Sequence, residues 1–360
     1  FGGYVVDRIR RKSAILGGLF IWSGVTAVAA VSHSFRHLLW FMAALGATVT
    51  IYMPAAMSMI SDYHGKATRS RAMGIHQTAV YVGTIGGGFL AGLIGERYGW
   101  RWSFIMFGAL GVTLGLILLG SLREPQRGAA DLEDGSANPQ THRLEGVPVG
   151  ASIRLILGTP TAALLMGAFM CANFVALVLL AWMPNFLYDK FHMSVAMAGL
   201  SATLFAQVTS MVGSPLGGWF ADIFRRRHVG GRVLVQAIAV LCGAPFVFLC
   251  GRAGTMTGVI VALTAWGLFK GLYDANIFAA VFDVVPPQVR GTAAGFINMM
   301  GWLGGGAAPV VVGFVAQRIG ASQAISLSSV VYVAAGILLT TGSALFIRRD
   351  VARVEQYVKG

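Results

Sequence analysis

Lys270 and Asp274 stand four residues apart in the stretch GLFKGLYDANIFAAVFDVVP, inside an otherwise apolar run of about 30 residues between 256 and 285. On a helix, Lys270, Tyr273, Asp274 and Ile277 fall at i, i+3, i+4 and i+7 and so share one face. A charge at the centre of a membrane helix costs at least about 2.5–3.5 kcal/mol, so this lysine calls for a wet cavity or a partner. An ammonium there can attract an anionic group of a small solute. Its neighbouring carboxylate can balance it when the site is empty and take up a proton during a cycle. The plainer account is an internal ion pair, yet replacing such a pair by apolar residues is often neutral or stabilising, so the pair still asks for a use. Other polar residues lie inside apolar runs: Asn173 and Gln207 near the centres, His76, Gln77 and Asn298 about a third of the way in from one side. Each can equally be a hydrogen-bonded packing element.

The elements that must position these residues follow from composition. Hydrophobic residues make up 56% of the chain, charged residues 11%, and mean hydropathy is +0.70, far from the roughly 25% charge of soluble domains. Ten apolar blocks can be placed, at about 14–32, 37–61, 70–96, 102–121, 161–188, 194–220, 232–251, 256–284, 291–317 and 323–347. At about 1.5 Å per residue each spans a bilayer core, where the backbone must satisfy itself as helix. The expectation is an all-α, multi-pass membrane protein in a plasma (cell inner) membrane. There is no phosphate-cradling loop, nucleophile motif or His/Cys metal spacing, so neither enzyme chemistry, nor a metal, nor a cofactor is expected. Cys171, Cys242 and Cys250 read as small apolar packing residues.

Net charge +13 is distributed as a topology signal. Alternate loops and the tail carry twenty Lys/Arg against six in the other loops, with Lys270 the remaining one of 27. The positive-inside rule places the richer set, including the linker near 128–146 and the C-terminus, in the cytoplasm, and a nucleic-acid partner is excluded.

The chain also repeats itself. GGYVVDRIRRK at Gly2 resembles GGWFADIFRRR at Gly217, pairing Asp7 with Asp222 at an offset of 215. SDYHGKATRSRAMG then aligns with FDVVPPQVRGTAAG at an offset of 221, pairing Asp62 with Asp283, Arg69 with Arg290 and Tyr52 with Tyr273. The two tyrosines are expected to face each other across a pseudo-twofold axis. Two spans precede Asp222 and almost nothing precedes Asp7, so a six-plus-six design is expected, of which this chain is a fragment lacking two helices at its start.

Gly3, Asp7, Arg8, Arg11 and Lys12 make the Gly-x-x-x-Asp-Arg loop signature of the major facilitator superfamily, which the whole chain resembles. The second copy has Gly218, Asp222, Arg226 and Arg227; both copies place arginine, Arg10 and Arg225, where the family has glycine. The resemblance implies two pseudo-symmetric six-helix bundles: 1–121, a cytoplasmic linker 122–154, 155–348, and a tail 349–360. It implies that Asp7, Arg8 and Asp222 latch the halves together at helix starts near Arg290 and Arg71, with Asp62, Arg69 and Asp283 in the same cytoplasmic gate. A carboxylate at a helix N-terminus supports such a latch, worth roughly 0.3–1 kcal/mol when exposed. Gly74, Gly83, Gly87 and Gly92 match the family's antiporter glycines, although Gly88 replaces its proline, and close packing of small residues explains them equally. Met42 stands where the fourth helix often carries a coupling arginine. The implied function is secondary transport of a small polar solute by a monomer embedded in the bilayer. The pattern is similar to the anion:cation symporter branch, with an organic anion as substrate and a proton or sodium ion as the coupling partner. The alternatives are a facilitator or exporter of a neutral or zwitterionic solute, and a transporter-like sensor that moves nothing.

Overall fold

The computed structural model describes residues 2–127, 130 and 147–359. The central part of the expected linker, 131–146, lies outside the described residues. Among the described residues all regular structure is helical: α1 Gly2–Val6, α2 Arg11–Ala29, α3 Phe35–Tyr63, α4 Arg69–Tyr98, α5 Trp100–Ser121, α6 Val149–Leu157, α7 Pro160–Phe191, α8 Val195–Arg227, α9 Gly231–Arg252, α10 Met256–Asp274, α11 Ile277–Phe282, α12 Arg290–Ile319, α13 Ala321–Thr341 and α14 Ile347–Lys359. Nine of the described segments are long and apolar enough to cross a membrane; α8, the tenth expected span, is long but diluted by Thr203, Gln207, Thr209, Ser210 and Ser214.

Helix boundaries have local causes. Ser34 and Thr255 cap α3 and α10, accepting from the backbone N–H of His37 at 3.3 Å and Gly258 at 3.2 Å. Gly99 and Gly320, equivalent at the 221 offset, adopt φ of 89° and 86° and make one-residue joints between α4 and α5 and between α12 and α13. Only glycine reaches that region without strain.

One expectation needs correction. The run 256–284 is not one helix: α10 stops at Asp274 and α11 restarts at Ile277. The cause is Asn276, whose amide donates to the carbonyls of Leu272 and Gly217, both at 3.1 Å, while Gln236 donates to its carbonyl at 3.0 Å, an alternative to helical backbone pairing. After α13 a π-helical turn at Gly342–Phe346 leads into α14, where buried Asp350 accepts the backbone N–H of Thr161, at the N-terminus of α7, at 2.9 Å. The start of the expected linker is docked, with Glu124 accepting the N–H groups of Arg11 and Lys12 at 2.8 and 2.7 Å at the N-terminus of α2.

The largest buried cluster is built from α6–α14, with Met57 and Met73 reaching into it from α3 and α4, and a smaller one joins Val6, Ala14, Ile15, Ala55 and Met59. Outward faces carry exposed Phe35, Trp40, Ile117, Val261 and Phe314, as lipid contact requires. Cys242 lies on such a face, not in the core; Cys250 is buried. Gly74 packs on the backbone of Ser214, but Gly83, Gly87, Gly88 and Gly92 have open space where a Cβ would stand, so close packing accounts for Gly74 alone within this chain.

Candidate functional site

At one end of the bundle the two loop repeats engage the opposite half in the same way. Asp7 accepts from the N–H groups of Gly291 and Thr292 at 2.8 and 2.7 Å and from the Thr292 hydroxyl at 2.5 Å. Asp222 accepts from the N–H groups of Ser70 and Arg71 at 3.2 and 3.0 Å, and those two residues are the 221-offset equivalents of Gly291 and Thr292. Each carboxylate thus sits on the N-terminus of a helix in the other repeat, where unpaired N–H groups and the helix dipole favour negative charge. Close approach depends on Gly3 and Gly218, which meet the Gly291 and Ser70 backbones.

Beneath the caps lies a buried ion network. Arg11 pairs with Asp62, and its equivalent Arg232 pairs with Asp283 at 2.5 Å. Arg232 also reaches Asp222 at 3.2 Å, the Ser70 hydroxyl at 2.7 Å and the Lys66 carbonyl at 2.5 Å. Arg69 crosses to Asp283 at 3.7 Å, and Arg225 approaches it at 3.3 Å. Arg290 lies over the Phe282 ring at 5.7 Å, whereas Arg8 stacks on Tyr4 at 3.7 Å and donates to Val147 at 3.2 Å. Burial pushes the Asp7 carboxyl up to about 6, against the lowering effect of its Thr292 and Gly291 hydrogen bonds and of Arg11. Burial acts in the same direction on Asp283, but Arg232, Arg225 and Arg69 together hold it below the ordinary carboxylate value.

Between the halves is a cavity of about 150 Å³ lined by Lys270, Tyr273 and Asp274 of α10, Gln77 of α4, Asn173 of α7, Asn298 of α12 and Tyr332 of α13. Gln77 and Asn298 are equivalent at the 221 offset, whereas Lys270 and Asp274 correspond to Val49 and Met53, so the charge comes from one half only. Lys270 donates to Asp274 and, at 3.1 Å, to the Tyr81 oxygen, and Tyr81 donates to Asp274 from α4. The helix break places Asp274 as the last residue of α10, with Lys270 four residues before it.

Tyr52, His76 and Gln207 stand apart from this lining. Tyr52 bonds His76 at 3.3 Å and packs against Trp22, so its ring neighbours lie within its own half, away from Tyr273; Gln207 is on α8 outside the cavity wall. Asn173 spends its amide N–H on the Gly301 carbonyl at 2.7 Å. Sequence reasoning missed Tyr81, Tyr332 and Arg232. Arg11 and Arg232 share the 221 offset and would have been found by extending it; Tyr81 stands seven residues after Gly74 on the face that meets α8.

A family model described as Major Facilitator Superfamily matches residues 1–309 and 164–357. The chain is 25% identical over 372 residues to the D-galactonate transporter of Escherichia coli O6:H1, covering 98% of this chain and 84% of that protein. It is 28% identical over 390 residues to human protein spinster homolog 1, covering 99% and 72%. The crystal structure of the human organic anion transporter MFSD10 superposes with a TM-score of 0.72 at 19% identity, covering 94% of this chain and 79% of that one, a likeness of fold.

Proposed function

The chain belongs to the Major Facilitator Superfamily, and we propose that it is a secondary transporter that moves a small organic anion by alternating access, with Lys270 as the anion contact. The observation that carries this reading is a half-buried ammonium on the wall of a cavity between the halves, about one turn before the break at the end of α10, and transporters of broken-helix design bind solutes at such breaks. Gln77, Asn298 and the Tyr332 ring offer neutral hydrogen-bonding and stacking surface around it, which suits a hydroxylated carboxylate. The name of the galactonate-transporting relative points to the same solute class.

The division into bundles 1–121 and 155–348 joined through 122–154 belongs to this proposal, as does the cytoplasmic placement of the end bearing Asp7 and Asp222. In that placement the cross-repeat caps close the cytoplasmic side, and Arg8, Asp62, Arg69, Asp283 and Arg290 support the closure. Membership of the plasma membrane, and action as a monomer, complete the reading. Proteoliposome counterflow with D-galactonate, a hexarate and an uncharged hexose tests it: exchange of either anion and not of the hexose is expected. Exchange of the hexose with neither anion would overturn the assignment to anions.

A further inference from the structure

Gly74, Thr78 and Tyr81 fall on one face of α4, and all three touch the other half. Gly74 meets the Ser214 backbone, the Thr78 hydroxyl donates to the Met211 carbonyl at 3.2 Å, and the Tyr81 hydroxyl donates to Asp274. Tyr81 is only 3% exposed and is the last buried residue of α4, with exposed Val80 and Val82 on either side. The contact between the halves along this helix therefore ends on a carboxylate of the cavity. The titratable groups facing that carboxylate are Lys270 and Tyr273 from its own helix, Tyr81 from α4 and Tyr332 from α13; α7 and α12 contribute Asn173 and Asn298, and α8 presents Ser210 beside Tyr81.

We infer that Asp274 is the site at which a coupling proton binds, and that Tyr81 is the positioning residue that ties its charge to the closure of α4 against the second half. The inference rests on the reading of Lys270 as the anion contact. A carboxylate that takes the Lys270 ammonium leaves Asp274 without its cation, at the negative end of the α10 dipole, on the wall of the cavity. One proton from the aqueous cavity then joins an Asp274 oxygen. The cluster holds one positive and one negative charge before; afterwards it holds the Lys270 cation, the bound anion and a neutral acid. A monoanion thus moves with one proton and no net charge. A neutral Asp274 accepts from Tyr81 about half as strongly as a carboxylate does, so occupancy loosens α4 from α10 at the last buried residue of α4.

Two measurements on the full chain test this, with Cys171, Cys242 and Cys250 replaced by alanine. The first needs no solute: spin labels at the exposed positions Arg97 and Arg318, at equivalent ends of α4 and α12, report the separation of the halves. Tyr81→Phe and Asp274→Asn are each expected to shift the ratio of separations about three- to tenfold in one direction, and the double variant no further than either alone. Additive shifts, or no shift in either single variant, would overturn the coupling. The second uses D-galactonate as the probe in vesicles loaded with a pH-sensitive dye. Wild type should take up one proton per galactonate without a membrane potential developing; Asp274→Asn should still exchange galactonate, more slowly, with no proton movement and no accumulation along a pH gradient. Proton uptake persisting in Asp274→Asn, or a sodium gradient replacing the proton gradient in wild type, would overturn the assignment. If wild type exchanges no anion at all, the anion reading fails, and the label experiment still decides whether Tyr81 and Asp274 act as one unit.

Discussion

Replacing Arg232 by methionine should open the capped end of the molecule. The guanidinium is 1% exposed and carries bonds of two kinds. Those to Asp283 and Asp222 lie within the second repeat, whereas those to the Ser70 hydroxyl at 2.7 Å and the Lys66 carbonyl at 2.5 Å cross to the first. Methionine keeps the packing of the stem and removes both. Loss within the repeat leaves two buried carboxylates short of a cation, a class of change that costs about 3–5 kcal/mol. Arg69 at 3.7 Å and Arg225 at 3.3 Å still face Asp283, and Asp222 keeps two N–H donors, so about 3 kcal/mol is expected, read as a lowered Tm. Loss across the repeats removes two hydrogen bonds from a charged donor at about 1.5 kcal/mol each, or roughly a hundredfold in the ratio of open to closed. Spin labels at the exposed residues His64 and Arg227, at the capped end of each repeat, should record a larger long-distance population in the variant than in wild type. Arg232→Lys should fall between the two, since one ammonium cannot serve four acceptors in a fork. A Tm within the scatter of wild type, together with unchanged label distances, would refute the claim that this network holds the end closed.

Further outcomes concern the caps and the topology. The Asp7 carboxyl is raised from 3.8 to about 6 by burial in the closed cap, so its protonation favours closure; that contribution is complete below about pH 4 and is lost as pH rises through about 6. The closed-to-open ratio should fall about tenfold between pH 5 and pH 7, and Asp7→Asn should show no such dependence in the His64–Arg227 label distance. Gly3→Ala and Gly218→Ala place a methyl group against the Gly291 and Ser70 backbones and should separate the caps, while Gly83→Ala, with open space around it, should behave as wild type. An impermeant maleimide added to intact cells should modify Lys190→Cys and spare Arg226→Cys; the reverse pattern would invert the membrane orientation.

Much of this architecture was legible in the sequence because the bilayer forces hydrophobic runs into helices and the internal repeat supplies a second reading of each loop. The offset pairing of Asp7 with Asp222 foretold two carboxylates in like positions, and the structure places each on a helix start of the other repeat. The same offset was not carried to Arg11 and Arg232, because arginines near a loop are already explained by topology; only burial shows that these two are structural. The break after Asp274 was hidden because Asn276 interrupts the helix through partners far away in sequence, Gly217 and Gln236, which no local pattern reveals. Tyr81 escaped for a related reason: a tyrosine in an apolar helix reads as bulk until the carboxylate opposite it is known. Tyr52 was drawn to Tyr273 by symmetry alone, but the rings it meets are those of Trp22 and of His76, two turns into α4.

Transport by the variant carrying both Lys270→Met and Asp274→Asn tests the central claim most directly. The two changes neutralise the pair together, so the protein should insert and keep a Tm close to wild type, and proteoliposomes containing it should exchange no organic anion that wild type exchanges. Exchange by the folded double variant at near the wild-type rate would contradict the account and leave Lys270 and Asp274 as an internal ion pair.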